Sequence, residues 1–342
     1  MPIKQFIIFL VVCYATIGVM VANTFEIPSK QSLLVLQTEL DSVIKHQPYT
    51  IHFGAYHVES GDYVYLNPDK RFPMASTVKV LFALTALDLV DQGMLSLDQT
   101  LTLTKKDIRP YSVLSLFARD PQFSMTLENA VEAMLIYSDN SATDAVFHAC
   151  GGKKAVNRFL KKHQLQSLTV SGSILAMLAA TDGVDVSDKA YQSVTGYKKA
   201  QQRISITSEE KARKQFFKSP KDTSTVRAWT TLFTKLLNGD LLSDQSTSYV
   251  LTVMNQSHWG KKRIKGFLPH VQVSHKTGSF SKCTNDVGLI TLPYNKGHLI
   301  IAASVIDREP ERMPDAPSFE AKRDHVIALL TKTVYDFWVF QP

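Results

Sequence analysis

Cysteine is scarce in this 342-residue chain: Cys13, Cys150 and Cys283 are the whole complement, and no C-x-x-C pair occurs. That excludes a disulfide-stapled scaffold and a cysteine zinc site. The ten histidines never fall at H-x-x-x-H spacing, so no metal is expected, and nothing in the chain calls for an organic cofactor. Charged residues make up only 20% and hydrophobic residues 44%, which suits a soluble globular protein and excludes disorder and coiled coil. The formal net charge is +7, but the Lys and Arg are scattered with no aromatic-interleaved basic stripe, so nucleic acid is not an expected partner. A mild basic balance suits anionic, carboxylate-bearing substrates and equally serves solubility.

An uncharged apolar run from Phe6 to Val21 follows Lys4 and gives way to Ala22-Asn23. This is the layout of a secretory signal over residues 1–22, cleaved near Ala22. An uncleaved anchor is disfavoured because the run falls short of the roughly 20 residues that span a bilayer. Val12 is a poor neighbour for a lipidated Cys13. The expectation is a periplasmic or secreted protein in a bacterial envelope, with no stable membrane span after cleavage. Cys150 and Cys283 then remain, read as small buried residues rather than a disulfide.

Residues 31–45 carry apolar side chains at helical spacing, and Thr50 to Val58 with Asp62 to Leu66 alternate like a hairpin. Val78 to Val90, ended by Gly93, is apolar nearly all round, as in a helix crossing the middle of a domain. From Leu97 to Cys150 the pattern reads as helical with polar breaks. Residues 166–222 are rich in Ser, Thr, Lys, Gln and Asp, with an apolar island at Ile174 to Ala180, and look like a long, partly mobile excursion. A helix at Val226 to Leu237, three strands at Val271 to Thr277, Cys283 to Leu292 and Leu299 to Ile306, and an amphipathic helix at Phe319 to Phe340 complete the chain. Strands from both ends predict an α/β fold. Its five-stranded antiparallel sheet is flanked by terminal helices, with a mainly helical domain inserted. The catalytic unit is then 23–342, its α/β part about 31–70 and 226–342, and its helical part about 71–225 with an insertion at about 166–222.

Three short motifs stand in order: Ser76-Thr77-Val78-Lys79, Ser138-Asp139-Asn140 and Lys276-Thr277-Gly278-Ser279. Singly each is weak; together they point to serine acyl transfer. Ser76 and Lys79 lie three apart at a helix start, one face carrying a nucleophile and a base, provided burial depresses the lysine pKa. Ser138 would relay the proton to a leaving nitrogen, Asn140 would bind a substrate amide, and Asp139 would stabilise the turn. Gly278 lets a substrate lie along its strand. The backbone N–H groups of Ser76 and Ser279 would form an oxyanion hole, and Lys276 adds charge for a substrate carboxylate.

Beyond these motifs the chain resembles the class A β-lactamase family from about Gln31 to Phe340. Phe72-Pro73-Met74-Ala75, Pro110-Tyr111-Ser112, Tyr137, Asp222-Thr223-Ser224-Thr225, Gly260 to Lys265, His275 and Asn285-Asp286-Val287-Gly288 carry the likeness. The resemblance implies the two-part fold, an exported enzyme and acylation of Ser76 by a β-lactam. It also implies Tyr111 at the cleft entrance, and Arg263 assisting Lys276 with the substrate carboxylate.

One element departs from the family. Its Glu-x-x-x-Asn, whose Glu activates the hydrolytic water, is absent between Asn140 and Asp222, a stretch several tens of residues longer than the family's. Counting back from Asp222 lands on Glu209 as the candidate deacylation base, with Arg213 where the Asn should stand and Ala212 in place of a Leu. The stretch Glu209 to Arg213 also reads as a solvated helix turn. The expected function is an exported monomeric serine β-lactamase. The alternative is a penicillin-binding D,D-peptidase or esterase, acting on a β-lactam or peptidoglycan-like substrate with weak turnover. A third reading is a non-catalytic envelope-binding module using Lys276 and Arg263, and intact Ser76 and Lys79 argue against it.

Overall fold

The computed structural model describes residues 30–116, 122–308 and 316–340. The expected signal over residues 1–22, with Cys13, lies outside them. Helix α1 (Lys30–Ile44) turns Leu36 and Leu40, one helical turn apart, to the core. The hairpin of β1 (Tyr49–His57) and β2 (Tyr63–Leu66) follows. A two-residue strand β3 (Phe72–Pro73) and a single 3₁₀ turn, Ala75–Thr77, lead into α2 (Val78–Asp91), in which every residue from Val78 to Leu87 is buried.

Between Leu97 and Cys150 the helical expectation needs correction. β4 (Thr100–Thr104) and β5 (Gln122–Thr126) form an antiparallel ribbon with Thr100 opposite Thr126. The run Thr-Leu-Thr-Leu-Thr alternates with period two, and β-branched Thr favours extended backbone. Helices α3 (Leu127–Ile136), α4 (Asn140–Ala149) and α5 (Gly152–Lys162) then come in succession.

The polar stretch 166–222 is not a structureless excursion. It holds α6 (Ile174–Asp182), α7 (Val194–Gln201) and α8 (Ile206–Lys218), packed around a small cluster of Leu175, Ala179, Val184, Tyr197 and Ala200. We call it the cap. Its neck is closed by Thr169 N donating to Thr223 O (2.9 Å), Ser171 N to Asp222 Oδ1 (2.7 Å) and Ile174 N to Asp144 Oδ1 (2.8 Å).

Next come β6 (Thr223–Ser224), paired with β3, α9 (Val226–Leu237) and α10 (Asp244–Asn255). β7 (Val273–Phe280), β8 (Cys283–Thr291), β9 (His298–Asp307) and α11 (Ala316–Phe340) end the chain. The sheet runs β2-β1-β9-β8-β7, antiparallel throughout, as the strand pattern predicts. Alternation assigns its two faces: Ile301 and Val305 join Ile327 and Trp338 under α1 and α11, while Ile300 and Ala302 join Phe82, Trp229 and Phe233. Among the described residues Cys150 and Cys283 are free and buried, and burial pushes the Cys150 thiol up to about 12 and the Cys283 thiol up to about 11, which makes them inert. Among the described residues no helix is long and apolar enough to cross a membrane.

Candidate active site

Ser76 stands on the 3₁₀ turn, and that turn is held from several sides. Ala75 before it is left-handed (φ 48°), a strained backbone for a residue with a side chain. Asn285 Nδ2 on β8 donates to Pro73 O (2.7 Å) and Met74 O (3.0 Å), and Met74 N donates to Asp222 O (2.9 Å). β7 is an edge strand, and its Gly278 lies against the turn so closely that a Cβ there would stand 2.7 Å from Met74 O and 3.0 Å from Ser76 N. Only glycine permits this approach, which brings the strand edge up to the backbone N–H of Ser76.

Ser138 occupies the joint between α3 and α4 in the left-handed region (φ 57°). The next residue, Asp139, makes that joint: its Oδ1 accepts from Ala142 N (2.8 Å) to cap α4, and its Oδ2 accepts from Ser112 Oγ (2.7 Å) and Leu114 N (2.9 Å). Two lysines converge on the hydroxyl so presented. Lys79 Nζ donates to Ser138 Oγ (3.0 Å), Ser138 O (2.6 Å) and Asn140 Oδ1 (2.7 Å), and Lys276 Nζ donates to Ser138 Oγ (3.1 Å) and Thr277 O (2.9 Å). Both side chains are fully buried. Burial, and then repulsion from Lys276, hold the Lys79 pKa well below its ordinary value against the pull of Asp139 and Asp144. Burial lowers Lys276 to about 7, with Asp286 opposing and Arg263 reinforcing the shift. A neutral amine here spends two hydrogens on carbonyl-type acceptors and keeps its lone pair for a hydroxyl proton.

The Lys276 shift has a signed consequence. Its folded pKa lies below the ordinary value, so the ammonium that would attract a substrate carboxylate is present below pH about 7 and lost above it. The ratio of kcat/KM for a carboxylate-bearing β-lactam to that for its methyl ester is expected to fall as pH rises through about 7. Parallel pH profiles of the two substrates measure it, because groups common to both reactions cancel in the ratio.

A cavity of about 740 Å³ adjoins these groups, lined among others by Ser76, Ser138, Asn140, Thr277, Gly278 and Ser279 and also by Tyr111, Arg263 and Glu209. The two lysines reach it through Ser138. Asn140 Nδ2 donates to Pro110 O (2.7 Å) while its Oδ1 holds Lys79. Tyr111 is 72% exposed and left-handed (φ 59°). Glu209 lies in the first turn of α8 with its carboxylate on Arg213 Nη2 (2.5 Å).

Arg263 is buried, not on an open surface turn, and its five N–H donors are all engaged within the protein. Nε meets Asp324 Oδ1 (2.7 Å), Nη1 meets Gly278 O (3.2 Å) and Asn285 O (2.9 Å), and Nη2 meets Ser279 Oγ (2.8 Å) and Glu320 Oε1 (2.7 Å). As placed, it props β7 and has no hydrogen left for a substrate. Sequence reasoning gave no role to Asn285, Glu320 or Asp324. The Asn285-Asp286 pair was visible only as part of the resemblance, and Glu320 and Asp324 belong to no local pattern.

An apolar-anchored serine turn, a buried lysine behind it and a second lysine across one shared hydroxyl define a serine enzyme of acyl transfer. The comparisons agree with that class. The sequence model of the β-lactamase enzyme family matches residues 35–338, and the chain belongs to this family. A β-lactamase of Bacteroides uniformis is 26% identical over 318 residues, covering 90% of this chain and 92% of its own length. The extended-spectrum β-lactamase PER-1 of Pseudomonas aeruginosa is 25% identical, covering 96% and 94%. The crystal structure of a β-lactamase from Chitinophaga pinensis superposes with a TM-score of 0.70 at 26% identity, covering 88% of this chain and 98% of that one.

Proposed function

We propose that this chain is an exported serine β-lactamase that opens the lactam amide through an acyl-enzyme on Ser76. The observation that carries the reading is the Ser138 hydroxyl held between Lys79 Nζ and Lys276 Nζ. Lys79 takes the Ser76 proton, Ser138 passes a proton to the leaving nitrogen, and the N–H groups of Ser76 and Ser279 hold the developing oxyanion. Asn140 and Thr277 bind along the substrate, Tyr111 flanks the entrance, and Lys276 attracts the substrate carboxylate from beneath. Arg263 contributes by fixing Ser279 and the β7 edge. Every group invoked comes from one chain, so a monomer suffices.

Glu209 is the base we assign to deacylation. Its place on the cap, in the cavity that holds Ser76, supports the assignment. The partition into an α/β part of 31–70 and 226–342, and a helical part of 71–225 with its insertion, is supported by the sheet drawing strands from both chain ends. Export rests on the layout of the first 22 residues.

Stopped-flow hydrolysis of a chromogenic cephalosporin, with intact-mass detection of the protein, tests the reading. Steady turnover in the native enzyme is expected, with Glu209→Gln accumulating a mass adduct and slowing about 10²- to 10⁴-fold, the usual contribution of a general base. A stoichiometric burst and a stable adduct in the native protein would favour the penicillin-binding peptidase. No adduct would end the β-lactam reading.

A further inference from the structure

At the β7 end of the cleft, where the proposed reading puts a substrate carboxylate, the protein already holds one of its own. Glu320 Oε1, on the second turn of α11, accepts from Ser279 Oγ (2.8 Å) and from Arg263 Nη2 (2.7 Å). The three side chains close a triangle, since Arg263 Nη2 also reaches Ser279 Oγ (2.8 Å). Glu320 lines the same cavity as Ser76 and Thr277, and its side chain keeps 41% of its surface exposed. It can therefore swing away without unpacking the core. One helical turn further on, Asp324 Oδ1 meets Arg263 Nε (2.7 Å), its side chain only 15% exposed. Arg263, Glu320 and Asp324 together carry one net negative charge.

We propose that Glu320 is a specificity-determining residue of this cleft, its carboxylate occupying the place of a substrate carboxylate on Ser279 and Arg263, so that anionic substrates must displace it and those neutral at that position need not. The proposal rests on the Ser76 cleft being the substrate site. It makes three groups act against one another. A substrate carboxylate approaching Ser279 meets the Glu320 carboxylate at hydrogen-bond distance of the same hydroxyl, where like charges repel. Displacing Glu320 frees one Arg263 hydrogen and the Ser279 hydroxyl at once, which is the pair of donors a carboxylate uses best. Asp324 takes a different donor, Nε, and is the less exposed of the two carboxylates, so Glu320 is the one free to move.

The test pairs a carboxylate-bearing β-lactam with its methyl ester in the native enzyme, Glu320→Gln and Glu320→Ala. We expect KM for the acid to fall about tenfold in both variants, with kcat changed less than twofold and the ester unaffected; on the order of tenfold is what one partly exposed charge contributes. An unchanged acid-to-ester ratio in both variants would overturn the proposal. Circular dichroism melts guard against misfolding, and Glu320→Asp, which keeps the charge, should keep the native ratio. A second readout does not depend on turnover. Acetate titrated calorimetrically should bind Glu320→Ala at least tenfold more tightly than the native protein, and equal affinities would overturn the proposal even if no β-lactam acylates Ser76. Absence of any adduct on Ser76 would count against the β-lactam reading alone.

Discussion

Ser76→Ala is expected to lower kcat for a chromogenic cephalosporin by on the order of 10⁵ to 10⁶, the loss seen when the nucleophile of a serine enzyme is removed, and to abolish the mass adduct. The fold should not register the change. Asn285, Asp222 and Gly278 hold the turn through backbone atoms of Pro73, Met74 and Ser76, and none of these contacts uses the Ser76 hydroxyl. Thermal melting should therefore stay within about 2 °C of the native protein, since substitutions that break no core or hydrogen-bond network are usually within about 0.5 kcal/mol. Retained turnover in the variant would place the nucleophile elsewhere.

Lys79→Met is the second large effect, and it separates catalysis from stability. Methionine fills the lysine's volume in the apolar wall of α2 but removes the base, so acylation should slow about 10²- to 10⁴-fold. The stability terms oppose each other. Burying the amine beside Lys276 is unfavourable, as the depressed pKa records, and removing it relieves that cost. Against this, Asn140 Oδ1 and Ser138 O lose a donor at about 1 to 3 kcal/mol for each group left unsatisfied. Ser138 Oγ keeps its bond from Lys276. Melting temperature should move by only a few degrees while activity collapses, and single-turnover kinetics beside a calorimetric melt checks both halves. Native-like acylation in this variant would assign the base to another group.

How much of this was legible in the sequence depended on how local the signal was. The helix Val78 to Leu87 is buried on every side, and its composition said so. The three C-terminal strands and the hairpin alternate cleanly, so the five-stranded sheet followed. The ribbon at 100–104 and 122–126 was missed because a helical expectation was laid over a Thr-Leu alternation of period two. The cap was missed for a different reason. Its helices are short, α7 and α8 are polar while only α6 is apolar, and its small core joins Leu175, Val184 and Tyr197 across more than twenty residues, so no single window shows the cluster. In the site, Ser76, Lys79, Ser138 and Lys276 were named by motif. The engagement of Arg263 with Glu320 and Asp324 was not, because those partners lie 57 and 61 residues away, on α11. Spacing rules report what a residue type can do, and the fold decides which partner it finds first.

The cap has a small core of its own, and it is also tied into the core beneath Ser76: Ile174, Met177 and Phe216 belong to that larger cluster, and Phe216 and Phe217 pack on Phe280 of β7. It also supplies Asp182, Gln201, Glu209 and Arg213 to the cavity wall. Asp182 Oδ2 accepts from Tyr197 Oη (2.9 Å) and Gln201 Nε2 (3.4 Å), both within the cap, and sites that share no partners add their stability effects independently. Substitutions at Asp182 and Gln201 can thus change which molecules enter while leaving untouched the contacts that hold the Ser76 turn. A lineage under changing chemical pressure can explore new substrates there without drawing on the small margin that keeps the enzyme folded.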